Sequence, residues 1–128
     1  MRLSESYGMV HEPAQGFATG ATTARGTTPH LANQFTTIEP GCYTTNEFGI
    51  RTENIVLSKK VNQTNFGTFL GFEALTLCYI DTNLIDKNIL TSKEKDWLNN
   101  YHKLVFNKLS PLLSKQESEW LEDKCKSI

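Results

Sequence analysis

The sequence is poor in the residues that build metal knuckles, disulfide frameworks and membrane spans. Its three cysteines, Cys42, Cys78 and Cys125, are odd in number and at least 36 residues apart. With no CxxC pair, a zinc knuckle and a thioredoxin-like redox site are excluded, and reduced, buried or half-buried thiols in a reducing compartment are expected. His11, His30 and His102 are equally scattered, without the HxxxH or HExxH spacing of a helical metal site. The 13 Lys+Arg against 14 Asp+Glu leave a net charge of -1. There is no basic surplus to meet nucleic-acid phosphates. Apolar runs such as Ile55-Val56-Leu57 fall far short of a membrane span. Met-Arg-Leu-Ser-Glu-Ser, the first six residues, has no apolar h-region, so no secretory leader is expected. With 128 residues, 38% of them hydrophobic, the first expectation is one soluble cytoplasmic domain with a modest core.

What is there changes character along the chain. Residues 1–34 are rich in Thr, Ala and Gly, nearly low-complexity from Ala18 to Ala24, and read as loop. From Phe35 the pattern is β-like, with strands predicted over 35–38, 50–61 and about 68–80 and a turn at Asn46-Glu47-Phe48-Gly49. The last third is helical. Thr91-Ser92-Lys93-Glu94 is a capping box, and Trp97, Leu98, Tyr101, Leu104, Val105 and Leu109 follow at the spacing of one apolar helix face. His102 falls at the edge of that face, as a packed or half-exposed histidine. Pro111 should end or kink the helix near Ser110. Ser114-Lys115-Gln116-Glu117 repeats the capping box and opens a shorter helix with Trp120 and Leu121. Both tryptophans read as packing anchors.

The residues that can carry chemistry flank the turn. Glu39 and Glu53 are symmetric about residue 46, so a hairpin places the two carboxylates across from each other. The two-residue period of the second strand puts Arg51, Glu53, Ile55 and Leu57 on one face. Paired carboxylates repel, and burial raises that cost. Arg51 or a divalent cation can compensate it. Residue pattern alone favours an ordinary salt-bridge pair, although Pro40-Gly41 bends the first strand and can turn Glu39 inward.

Thr37–Tyr43 reads T-x-E-P-G-x-Y and Phe48–Asn54 reads F-G-x-R-x-E-N. In these segments the sequence resembles the pita-bread metallopeptidases, and within them the Xaa-Pro aminopeptidases (aminopeptidase P) of the cytosolic kind. Those carry a C-terminal extension, which Phe72-Glu73-Ala74-Leu75-Thr76-Leu77 and Asp96-Trp97-Leu98-Asn99-Asn100-Tyr101-His102 resemble. The likeness covers roughly residues 9–128. It implies an α+β chain: the C-terminal portion of a pita-bread fold, a curved antiparallel sheet, over 1–80, then a helical C-terminal extension over 81–128. It also implies hydrolysis of the bond between a peptide's first residue and a following proline, two divalent metals (usually manganese) and a homodimer. Five side chains hold the metals in that family: two Asp, one His and two Glu. Glu39 matches the first Glu, a metal ligand thought to assist as general base. Glu53 matches the Glu that bridges both metals, Arg51 the Arg that supports the cluster, and His11, in Val10-His11-Glu12, the His that contacts substrate.

The departures are as specific as the matches. Nothing here matches the two Asp ligands, and Arg2–Tyr7, where the family places its metal His, contains no histidine. Two glutamates offset at most half the charge of two divalent ions, so the chain by itself is expected to be inactive. A C-terminal fragment of a metal-dependent Xaa-Pro aminopeptidase is the leading expectation. The alternatives are a catalytically dead interaction or dimerisation module and an unrelated binding domain.

Overall fold

A computed structural model describes residues 27–128. They form five strands, β1 (Phe35–Ile38), β2 (Gly41–Thr44), β3 (Phe48–Arg51), β4 (Asn54–Thr64) and β5 (Gly67–Ala74), and two helices, α1 (Ser92–Leu109) and α2 (Lys115–Lys124). The loop expected over residues 1–26 lies outside the described residues. The chain divides into two compact units between Thr76 and Leu77.

In the first unit β1, β4 and β5 form an antiparallel sheet in the order β1-β4-β5, and β2 and β3 form a separate antiparallel ribbon. The strand predicted over 50–61 is two strands: β3 ends at Arg51 and β4 begins at Asn54. Pro40 causes the matching break on the other side, having no N–H to offer a ladder. The register survives the break. Ile38 faces Asn54 on one side of it and Gly41 faces Arg51 on the other, and the Thr52 N–H donates to the Pro40 carbonyl at 3.1 Å. The turn falls earlier than predicted. The Glu47 N–H closes it on the Thr44 carbonyl at 3.1 Å, and Asn46 takes the left-handed conformation with φ 62°, which Asn tolerates better than most residues. Gly49 is therefore a strand residue.

The covered face of this sheet carries Thr36, Val56 and Ser58. Val56 and Ser58 are two apart and Thr36 faces Val56, so they share one side of the pleat. This corrects the expectation that Ile55 and Leu57 would bring Arg51 and Glu53 onto a buried face. Leu57 is half-buried, Ile55 is 39% exposed, and Arg51 and Glu53 are exposed. β5 is also shorter than predicted, ending at Ala74.

The second unit is built around α1. Both capping boxes form as the sequence predicted. Glu94 N–H donates to Thr91 Oγ1 at 3.3 Å and Glu117 N–H to Ser114 Oγ at 3.4 Å, and each Glu carboxylate accepts from its cap's N–H. Each cap hydroxyl also donates to that carboxylate at 2.7 Å; this bond first, and the cap N–H second, hold both carboxyls below their usual pKa range. Pro111 ends α1 in a 3-10 turn, Ser110–Leu112.

The buried stripe of α1 is Leu98, Tyr101, His102 and Val105, joined by Leu121 of α2. It is narrower than predicted. Trp97 is 57% exposed, stacked flat on Tyr101 with centroids 5.7 Å apart, and Trp120 is 52% exposed. The tryptophans lie across the surface of this unit, while fully buried His102 fills its interior.

Residues 77–80, predicted as strand, are held by helix side chains instead of a ladder. Tyr101 Oη donates to the Cys78 carbonyl at 2.8 Å, and the Ile80 N–H donates to His102 Nε2 at 3.1 Å. The expectation of buried or half-buried thiols holds only for half-buried Cys125; Cys42 and Cys78 are exposed.

Candidate functional site

The strand break is where the charged residues converge. Glu39 and Glu53 lie between the two ladders: they are the next opposed pair after Ile38 and Asn54, and the β2–β3 register reaches them one step beyond Pro40 and Thr52. The hairpin expectation for these two carboxylates therefore holds in register. Glu39 is half-buried, and both its oxygens are engaged: Thr37 Oγ1 donates to Oε1 at 2.9 Å and Arg51 Nη1 to Oε2 at 2.9 Å. Each carboxylate oxygen keeps a second lone pair.

Arg51 is held from its other side as well. Its Nε–H donates to Tyr43 Oη at 2.9 Å, and the guanidinium carbon lies 6.0 Å from the Tyr43 ring centroid. The arginine is held above its ordinary pKa first by that Tyr43 hydrogen bond, with smaller electrostatic contributions from Glu39 and Glu53. Glu53 is thus part of the same charge cluster.

The two glycines of the motifs make this geometry possible. A Cβ on Gly41 would lie 2.7 Å from the Tyr43 ring, and one on Gly49 would lie 2.6 Å from it. Gly49 faces Tyr43 and Gly41 faces Arg51, so the ring lies down along one face of the ribbon and its hydroxyl ends at the arginine. Only a residue without a Cβ leaves room for that approach.

The backbone just beyond Glu53 is fixed by Thr76, two residues past the end of β5. Thr76 Oγ1 donates to Asn54 Oδ1 at 3.0 Å and accepts from the Ile55 N–H at 2.9 Å. Lys59 pairs with Glu73 further along the same two strands.

Of the residues the sequence singled out, Glu39, Arg51 and Glu53 come together at this break, and His11 lies outside the described residues. Thr37, Tyr43 and Thr76 were not assigned a part. Strand parity was the available signal for Tyr43: four residues after Glu39 and two after Gly41, it belongs to their face. Thr76 is joined to its partner only by the β4–β5 pairing, which no local pattern reveals. Among the described residues no group of three or more His, Cys, Asp or Glu could hold a metal. Two acceptor-only carboxylates facing each other fit one side of a divalent-cation site, with Arg51 supplying one compensating charge.

The family profile for the C-terminal region of peptidase M24 matches residues 68–128. A probable Xaa-Pro aminopeptidase P of Coprinopsis cinerea is 46% identical over 118 residues, covering 88% of this chain and 19% of the relative. The corresponding protein of Laccaria bicolor is 41% identical over 124 residues, covering 93% and 19%. This chain is homologous to the C-terminal region of the Xaa-Pro aminopeptidases. The crystal structure of an X-prolyl aminopeptidase from Caenorhabditis elegans, described as a cytosolic enzyme with a dinuclear active site, matches with a TM-score of 0.70 at 36% identity. It covers 77% of this chain, which spans 17% of the nematode protein. The α+β expectation stands: antiparallel sheets followed by two helices match part of a pita-bread aminopeptidase. Among the described residues no helix is long and apolar enough to cross a membrane.

Proposed function

We propose that this chain supplies the glutamate-bearing part of a dinuclear Xaa-Pro aminopeptidase site. In this reading residues 1–80 contribute to the catalytic domain and 81–128 form its helical extension. Glu39 and Glu53 are metal ligands, Glu39 also serves as general base, Arg51 holds the cluster together, and His11 contacts the substrate. Two divalent ions, manganese by preference, polarise the scissile carbonyl when bound. The chain's own part is to present two carboxylates at a fixed separation. Tyr43 and Thr37 set the arginine and the first glutamate, and Thr76 sets the backbone after the second. The remaining ligands come from polypeptide outside these 128 residues, so the isolated chain is inactive. The substrate is a peptide with proline in second position, and the compartment is the cytoplasm, as described for the nematode relative. The observation that carries the reading is the opposed Glu39/Glu53 pair at the strand break, with Arg51 clamped between Tyr43 and Glu39.

The test is a chimera in which this chain replaces the matching part of the nematode enzyme, assayed with Mn²⁺ on an Xaa-Pro-Xaa tripeptide. Activity that Glu39→Gln and Glu53→Gln each abolish supports the assignment. An active chimera indifferent to both substitutions sinks it. Should the chimera not fold, Mn²⁺ titration of the chain by electron paramagnetic resonance decides: weak binding lost in Glu53→Gln supports the ligand role, and unchanged binding refutes it.

The half-exposed Trp97 and Trp120 favour a second role, a homodimer contact on the helical unit. Sedimentation should show a dimer that Trp97→Ala weakens; a monomer at all concentrations rules that role out.

A further inference from the structure

Of the two segments that resemble the family's C-terminal extension, Phe72–Leu77 contains the threonine that holds the backbone beyond Glu53, whereas Asp96–His102 has no part in the site. Both segments bond to residues 75–80. On one side of the unit boundary, the Leu75 N–H donates to the Ile55 carbonyl at 2.8 Å, and Thr76 Oγ1 bonds Asn54 Oδ1 at 3.0 Å and the Ile55 N–H at 2.9 Å. Asn54 and Ile55 are the two residues directly after Glu53. On the other side, the Cys78 carbonyl accepts from Tyr101 Oη at 2.8 Å, and the Ile80 N–H donates to His102 Nε2 at 3.1 Å. Each bond lies within its own unit, and what joins the two sets is the peptide chain itself. Leu77 is the one residue between Thr76 and Cys78, so the chain between these anchors spans at most about 7 Å. A link that short has little slack.

The chemistry of both helix residues suits an anchor better than a core filler. Tyr101 is 7% exposed, and its hydroxyl is spent on a backbone carbonyl of the strap. Fully buried His102 accepts at Nε2, which leaves the proton of its neutral ring on Nδ1, where it has no hydrogen-bond partner. A buried donor left unpaired is costly, and a leucine would fill the same space without it. What the imidazole adds is the bond to Ile80.

We propose that residues 75–80 are a tensioned strap through which Tyr101 and His102 act as positioning residues for Glu53. The two helix side chains fix the strap at Cys78 and Ile80. The strap in turn fixes Leu75 and Thr76, which hold the backbone of Asn54 and Ile55. Neither helix residue touches metal or substrate; each works on the second glutamate through the chain. The positioning claim rests on the reading of Glu53 as a metal ligand, and the strap itself does not.

Amide hydrogen exchange of the full chain, read residue by residue by nuclear magnetic resonance, tests this. Tyr101→Phe keeps the ring and removes only the hydroxyl. It should speed exchange of the Ile55 and Leu75 amides, in the other unit, by about threefold to tenfold, the effect of one lost hydrogen bond on local opening. The Ser58 amide, further along β4 and bonded to the Gln34 carbonyl, should keep its rate. Unchanged rates at Ile55 and Leu75 overturn the strap, as does an equal rise at Ser58, which would be general loosening. Coupling is reciprocal, so Thr76→Val should speed exchange of the Ile80 amide, and no change there also overturns it. His102→Gln, whose amide oxygen can accept from Ile80, should protect Ile55 better than His102→Leu; equal exchange in the two removes His102 from the proposal's positioning residues. Mn²⁺ titration then separates strap from ligand. Tyr101→Phe should weaken Mn²⁺ binding less than Glu53→Gln does, and not further in the Glu53→Gln chain. If Glu53→Gln leaves Mn²⁺ binding unchanged while Tyr101→Phe still speeds exchange at Ile55, the ligand reading fails and the strap stands.

Discussion

In the unit that ends at Thr76, burial among the described residues is confined to Thr36, Gly41, Val56 and Ser58, and Phe35, Phe48, Ile50, Phe69 and Phe72 stay exposed. The helical unit buries Leu98, Tyr101, His102, Val105 and Leu121 within 52 residues and closes both helix starts with side-chain caps. One unit has a core of its own. In the other, Thr37, Tyr43, Arg51 and Thr76 hold two glutamates in place while broad apolar surface is left open. Contiguous apolar surface of this kind is what an interaction face presents. The proposed site and self-sufficiency are divided between the two halves of the chain.

The sharpest way to break the comparison is to remove a core side chain from the helical unit. Leu98→Ala should destabilise it by about 2–5 kcal/mol, through lost burial and an unfilled cavity. The same deletion at exposed Leu112 should stay within about 0.5 kcal/mol. Urea unfolding followed by far-ultraviolet circular dichroism measures both. Equal effects would mean that the stripe of α1 is no core.

Acid should act on the same unit next. Burial lowers the pKa of His102 from its ordinary value of 6.5, and its neutral Nε2 is the acceptor for the Ile80 N–H. The unfolded chain therefore takes up the proton first. The stability this histidine contributes is complete above its unfolded pKa and is lost as the pH falls from there through the lowered folded value. Since Nδ1 has no hydrogen-bond partner, protonation gains no acceptor in exchange. His102→Gln, which offers a carbonyl oxygen and does not titrate, should flatten this part of the pH–stability profile. An unchanged acid limb would assign it to other groups.

Smaller and local effects belong to the caps. Thr91→Ala and Ser114→Ala should each cost about 1 kcal/mol, nearly additively, since they open different helices.

These caps are also where the sequence was most legible. A capping box spans four residues and α1's stripe repeats within eighteen, so both are visible without knowing what packs on them. Strand 35–38 and the symmetry axis at residue 46 were legible for the same reason: a hairpin is a local object. Misread features depended on partners far along the chain. The break at Thr52–Glu53 follows from Pro40 on the opposing strand. Segment 77–80 has the composition of a strand, but Tyr101 and His102 take its hydrogen bonds. Tyr43's role needs two glycines on two strands, and Ile55 looks like a core residue until Val56 and Ser58 are seen to hold the covered face. Within the site, the glutamates and arginine could be named from two motifs, whereas the groups that orient them could not.

In the first unit, substitutions should move geometry more than stability. A methyl group at Gly49 meets the Tyr43 ring at 2.6 Å, but that ring is 39% exposed and can swing outward. Gly49→Ala should therefore lower stability by about 1 kcal/mol or less while detaching the ring from Arg51. The Arg51 Nε–H resonance, protected by Tyr43 Oη in the native chain, should move and exchange faster with solvent. A resonance left in place would show that the glycines are not there for the ring.

The smallest effect on stability should come from Glu39, the residue nearest the proposed chemistry. Glu39 and Arg51 form a single ion pair with 35% and 44% of their side chains exposed, and exposed pairs gain little over hydration and are screened by salt. Glu39→Gln keeps an oxygen for Thr37 and for Arg51 while removing the charge, so the urea midpoint should coincide with that of the unsubstituted chain. The same substitution halves the carboxylate charge offered at the strand break. In the Mn²⁺ titration it should weaken binding even though unfolding does not register it. A variant that lost stability and metal affinity together would place Glu39 in the framework of its unit, and the division between a self-supporting helical half and a site-bearing β half would not hold.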